Sequence, residues 1–278
     1  MKFKSRAIAI LFLLAVVLIL VGLPPGAVRL IGSLDDSTVV RQQETAKAPP
    51  SRISDTRDMS DASESHADSS WFNEVQEGIR KAEYNVSWQD TSVIKGAPGG
   101  LHIANRKNNL RGYFREDGVQ IVERETSDPD WDVRWQFESW GREKNMLDVA
   151  PVLPTTEDHT NRLSYNYPGI EEWFINTEAG LEHGFTIGHR PAGPGPLILT
   201  GQFAGSARPD NGTGANTIEF RDEDERTLLQ YAKLEVTDAT GRIIPATLRL
   251  WQGETRFVVH DTDATYPITV DPIFIAPP

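Results

Sequence analysis

The 278-residue chain contains no cysteine. Disulfides, thiolate metal sites, Cys nucleophiles and a lipid-anchoring cysteine are excluded, and any exported form must be held by its core alone. Cations are scarce too: 28 Lys and Arg face 40 Asp and Glu, for a formal charge of −12. That balance argues against nucleic acid as a partner, because neutralising phosphates needs clustered basic side chains. It also argues against docking onto anionic lipid, while favouring solubility and leaving cation binding open. Motifs that carry chemistry are missing as well. No Walker-type Gly-Lys-Ser/Thr occurs, and Gly212-Thr213-Gly214 lacks the third glycine and the strand-to-helix setting of a dinucleotide loop. The nucleophile elbow G-x-S-x-G, the zinc motif H-E-x-x-H and a D-x-D-x-D-G calcium loop are all absent. No catalytic residue and no cofactor is expected, and the chain reads as non-enzymatic.

Residues 31–70 lack aromatics altogether and are rich in Ser, Asp and Thr around Pro49-Pro50. Too little apolar surface is present to offset the entropy of ordering, so this stretch reads as a disordered polar tether, with His66 solvated in it. Ahead of it, Lys2, Lys4 and Arg6 precede an apolar run over 7–23, followed by Pro24-Pro25-Gly26. A basic segment and then an apolar one make an export signal. A run of about 17 residues sits at the lower limit of a membrane span, and an A-x-A-like cleavage site is missing, so a retained anchor and a cleaved signal both remain open. Residues 1–30 are therefore signal peptide or membrane anchor. The remainder is expected to be extracytoplasmic, either membrane-tethered or secreted.

From Trp71 the pattern becomes that of a folded domain over 71–278. Phe72, Val75, Ile79 and Ala82 recur at helical spacing behind the capping candidates Ser69 and Ser70. They predict one short helix packed on a sheet. Asp117-Gly118 is hairpin-turn chemistry between two strand runs. Trp131, Val133, Trp135 and Phe137 alternate as the inward face of a strand, and Trp140 falls out of phase with them. Further on, Tyr165, Trp173, Phe185 and Ile187 are expected inward. In the closing stretch, 227–272, apolar pairs sit two apart: Leu234 and Val236, Leu248 and Leu250, Phe257 and Val259, Ile268 and Val270. Turn clusters separate them, which predicts an antiparallel meander of four or five strands joined by tight hairpins. Pro267 and Pro272 lack amide donors and place its last strand at an edge or bracket its ends. The fold class is all-β: an antiparallel sandwich-like domain of ten or more short strands with one N-terminal helix.

Few side chains stand out as site candidates. His260, Asp261 and Asp263, close together at a strand end, are the nearest approach to a metal constellation, although an Asp turn without any ion accounts for them too. The acidic row Asp222 to Glu225 reads as a solvated hairpin tip, and the basic island from Asn105 to Arg111 as a solvated connector. Trp140 and Trp88 are the candidate ligand contacts, the kind of exposed aromatic that could meet a glycan.

Four phrases occur in order: Gly180-Leu-Glu-His-Gly-Phe-Thr-Ile187, Ile218-Glu-Phe-Arg221, Asp238-Ala-Thr-Gly-Arg242 and Tyr266-Pro-Ile-Thr-Val-Asp-Pro272. With the Trp71-to-Trp88 opening, they resemble the N-terminal region of large secreted bacterial proteins that continue into FG-GAP (integrin-alpha-like) repeats. The resemblance implies an extracytoplasmic β-rich module used for surface display or protein contact. It supplies no catalytic residues, and no repeat or calcium loop follows Pro272 here. A carbohydrate-binding sandwich is the alternative expectation, and a glycosidase or lyase a more distant one. The expected partners are the membrane, through the N-terminal segment, and a protein or glycan; nucleic acid is not among them.

Overall fold

A computed structural model describes residues 64–277. The expected signal or anchor over 1–30 and most of the expected linker lie outside the described residues. Helix α1 spans Glu64–Ala82, so it begins before the anticipated start at 71 and takes Ser69 and Ser70 into its interior instead of using them as caps. Arg80 and Lys81 close its last turn, where cations suit the helix dipole, and both pair with Glu77. The expectation that α1 packs on a sheet is corrected. Trp71 is 62% exposed and Ile79 61%, with Phe72 and Val75 exposed between them. The sheets bury their inner faces against each other, and no described strand covers the helix stripe.

The strands follow in chain order. The first six are β1 (Ser87–Thr91), β2 (Pro98–Asn105), β3 (Leu110–Arg115), β4 (Gly118–Glu123), β5 (Asp132–Arg142) and β6 (Asn145–Asp148). Next come β7 (Thr155–Thr156), β8 (Arg162–Tyr167), β9 (Ile170–Thr177), β10 (Gly180–Ile187), β11 (Leu197–Ala204) and β12 (Arg208–Asn211). The last five are β13 (Ile218–Arg221), β14 (Thr227–Asp238), β15 (Ala246–Trp251), β16 (Glu254–Val259) and β17 (Ile268–Ile275). They form two antiparallel sheets packed as a sandwich. A nine-stranded sheet runs β1-β2-β3-β4-β5-β11-β16-β15 with β6 added on β5, and an eight-stranded sheet runs β12-β13-β14-β17-β10-β9-β8-β7.

Aromatic pairs cross the interface between the sheets. Phe114 meets Phe174 at 5.0 Å between ring centroids, Phe137 meets Phe185 at 4.8 Å and Phe203 meets Phe220 at 4.8 Å. Each fully buried Phe of this kind contributes on the order of 1.5–3 kcal/mol. The expected hairpin between β3 and β4 forms, with Glu116 and Asp117 at the turn and Gly118 opening β4. Gly118 has φ +109° and a Cβ there would lie 2.1 Å from the Trp135 carbonyl oxygen, so only glycine fits.

The closing stretch departs from the expected meander. β15 and β16 form one hairpin in the nine-stranded sheet, whereas β14 and β17 pair with each other in the eight-stranded sheet. The chain crosses between sheets after β14 and returns before β17. The first crossing is held by Asp238, whose carboxylate accepts from Thr240 N and Oγ1, Arg242 N and Nε, and Thr265 N. The expectation for Pro272 is also corrected, since it lies inside β17, a central strand flanked by β14 and β10. A bulge in β14 between Ala232 and Glu235 interrupts the ladder opposite it, so the missing amide costs no bond there.

Candidate functional site

The three metal candidates separate. His260 and Asp263 are exposed, whereas Asp261 is buried where the chain leaves β16. Its carboxylate takes a bidentate pair from Arg142 of β5 at 2.6 and 2.8 Å, the Tyr266 hydroxyl at 2.6 Å, and Arg190 at 3.3 Å. Arg142 is equally buried and also donates to the Gly195 carbonyl at 2.9 Å. Burial would raise the Asp261 carboxyl, but the bonds from Arg142 and Tyr266 overcome it and hold the group below its ordinary value. A carboxylate bonded by Arg142 and Tyr266 and ion-paired with Arg190 is a tether between β5 and the last crossing. Among the described residues, no group of three His, Asp or Glu side chains is placed to hold a metal. In the acidic row at 222–225, Asp222 pairs with Arg226 and Glu225 with Arg208 and Arg221, while Glu223 and Asp224 are exposed as expected of a hairpin tip.

The two tryptophan candidates also part. Trp88 on edge strand β1 is 66% exposed, with its indole N–H donating to Asp90 at 2.8 Å. Trp140 is only 5% exposed, which corrects the expectation that it faces solvent. Alternation does put Trp140 out of phase with Val133, Trp135 and Phe137. However, Thr200 of β11 pairs with Ser139 and Gly201 with Phe137, so Glu138 is an extra residue without a partner. This bulge reverses the alternation and turns both Trp140 and Arg142 inward.

A polar chain that sequence reasoning passed over lies between the sheets. Glu172 of β9 accepts from the Trp135 indole at 2.7 Å and from His183 Nε2 at 2.9 Å through one oxygen, and from the Tyr167 hydroxyl at 3.3 Å through the other. The Tyr231 hydroxyl meets His183 Nδ1 at 2.7 Å. Burial lowers the His183 pKa and raises that of Tyr231, so the ring is neutral, accepting from Tyr231 and donating to Glu172. The ring also stacks on Phe174, 4.4 Å away and 2° from parallel. His183 is in phase with Leu181, Phe185 and Ile187, and that alternation could have placed it inside. For β9 the expectation was Trp173 inward, and it is corrected. Ile170, Glu172 and Phe174 face the other sheet, while Trp173 lies on the outer face over Gly184, where a Cβ would come within 2.1 Å of its ring. Glutamate, histidine and tyrosine in a row can relay protons in an open site. Here all three are buried, while Tyr167, on the second Glu172 oxygen, is partly exposed.

The island from Asn105 to Arg111 is not wholly a solvated connector. Asn105 is fully buried and bonds Asn176 Oδ1 at 2.9 Å and the Thr177 carbonyl at 2.7 Å, tying β2 to β9 across the sandwich.

On the outer face of the nine-stranded sheet, the loop 92–97 folds back over β3 and β4, with Ile94 packed on Tyr113 and Val122. Beside it opens a groove of about 460 Å³ lined by Lys95, Arg115, Asp117, Gln120 and Arg134 among others. Arg115 donates to Gln120 at 3.3 Å and to the Pro98 carbonyl at 3.0 Å, while its Nε is buried without a partner. Arg134 donates through Nε to Asp132 at 2.8 Å. A second groove of similar size runs between the end of α1 and the Asn161 and Asn176 region. No protein-family model, curated protein or solved structure matches the chain.

Proposed function

We propose that this chain is a non-enzymatic module that works outside the inner membrane by contact with another protein. Residues 1–30 serve as its export signal or anchor, and it is related to the N-terminal region of FG-GAP-repeat proteins. The observation that carries the reading is the apolar stripe of α1. Trp71, Phe72, Val75 and Ile79 stay in water on a domain whose other large apolar side chains are mostly buried, and such patches mark interaction surfaces. The non-enzymatic part rests on the burial of the Glu172–His183–Tyr231 chain and on Asp261, which is engaged by Arg142, Tyr266 and Arg190.

A photo-crosslinking residue at Phe72, compared with one at Glu74 on the polar side of the helix, tests the contact in the native envelope. Adducts to one protein from position 72 and not from 74 are expected. Equal labelling from both, or saturable turnover of an ester or glycan by the purified chain, would sink the reading. A carbohydrate-binding reading keeps one observation of its own, the exposed Trp88. Loss of glycan-array signal in Trp88→Ala would favour it.

A further inference from the structure

We propose that the groove between loop 92–97 and strands β3 to β5 binds an acidic saccharide, with a carboxylate or sulfate of the ligand held by Lys95, Arg115 and Arg134. The inference is independent of the α1 stripe and goes beyond the contact role.

On a chain of formal charge −12, three cations converge on one groove that has Asp117 as the acid in its lining. Neither Lys95 nor Arg115 has an ion-pair partner among the described residues. Arg134 is neutralised only in part. Asp132 receives its Nε, but the same carboxylate also accepts from Gln120 at 3.2 Å and from Ser206 N at 2.9 Å, and the two terminal nitrogens of Arg134 have no partner among the described residues. Burial pulls the Arg115 guanidinium below its ordinary value, with Asp117 opposing that shift and Arg134 adding to it slightly. Two guanidinium groups lining one groove, with the terminal nitrogens of Arg134 unspent, are the complement of an oxyanion.

Geometry supplies the rest. Arg115 is fixed, because it bonds the Pro98 carbonyl and lies 5.3 Å over the Tyr113 ring. It reaches the groove from β3, and Gln120 and Arg134 reach it from paired positions on β4 and β5. A volume of about 460 Å³ is within the range of small-molecule sites and several times what a lone oxyanion fills. Asp117 and Gln120 offer acceptors and an amide to hydroxyl groups, while Ile94, Pro98 and Val119 provide apolar wall. Cations for one anion, polar groups for hydroxyls and a partly apolar wall together describe a sugar acid or a sulfated sugar.

Titration calorimetry on the full chain tests this with four probes: a galacturonate trisaccharide, a sulfated disaccharide, a neutral galactose trisaccharide and inorganic sulfate. One or both acidic sugars should bind, and which of them does assigns the anion as carboxylate or sulfate. Affinity should fall by about tenfold or more in Lys95→Ala/Arg134→Ala and be abolished in Arg134→Glu, as expected for the loss of charge-assisted bonds. Rising salt should weaken it. Lys95 and Arg134 are exposed, so the melting temperature should not move, and it serves as the control for folding. Equal binding of the neutral trisaccharide, unchanged affinity in the double variant, or inorganic sulfate binding as well as either sugar would each overturn the assignment.

Discussion

Two aspartates only ten positions apart carry opposite electrostatic burdens. Asp261 ionises readily because Arg142, Tyr266 and Arg190 surround it. Its folded pKa is depressed, so its stabilisation is present above the unfolded value and lost as pH falls through the folded one. Asp261→Asn leaves Arg142 charged and buried without an ionic partner, and should cost about 3–5 kcal/mol in urea denaturation at neutral pH. Asp271 is the reverse case. Burial first, then Glu182 and Glu235 on the flanking strands, raise its pKa to about 6. The folded chain therefore holds a proton that the unfolded chain releases near 3.8, and stability drains away as pH rises through that window. Asp271→Asn should raise the melting temperature at pH 7 and leave it nearly unchanged at pH 4, which a pair of calorimetric scans would decide. Little of this was readable in sequence. One acid follows β16 and the other lies within β17, and only the fold brings arginines to one and carboxylates to the other.

Strands carry their own information at the next scale. Period-two alternation correctly assigned Val133, Trp135, Phe137, Phe257, Val259, Ile268 and Val270 to the core, because a strand with one buried face must alternate. It failed for Trp140, since a bulge adds one residue and the sequence carries no mark for it. Trp173 obeys the alternation of its neighbours Glu172 and Phe174 and so lies on the other face, where Gly184 opens room for its ring. The edge of β15 shows another device. Asn211 bonds both the N–H and the C=O of Leu250, at 2.9 and 3.2 Å, and Asn216 takes the N–H of Leu248 at 2.9 Å and reaches the Ala246 carbonyl at 3.4 Å. Two side chains thus stand where another strand would dock, and they block edge-to-edge association. Asn211→Ala/Asn216→Ala should leave the fold intact but promote concentration-dependent association, visible by light scattering.

At the scale of the whole molecule, the closing stretch is a clasp. β17 comes last in the chain yet lies in the interior of its sheet, between β14 and β10. β15 and β16 meanwhile complete the opposite sheet beside β11. The sandwich can therefore form only once β17 has been made, since its central pairing, β10 with β17, is also its most distant in sequence. A chain ending at Pro267 should lack cooperative unfolding and near-ultraviolet dichroism; native-like protection in that variant would contradict the clasp.

The sequence alone determined the class of fold, the strand content and most of the core-facing side chains, because alternation and turn chemistry are local. It also determined the absence of nucleotide, zinc-protease and hydrolase motifs, which follow from residue order. Tertiary structure decided which sheet each closing strand joins, that Trp140 is buried while Trp88 is not, and that Asp261 is a tether instead of a ligand. It also enclosed Glu172, His183 and Tyr231 and drew Lys95, Arg115 and Arg134 around one groove. Each of these depends on contacts between residues far apart in the chain, and no local pattern records which distant partner a side chain will meet.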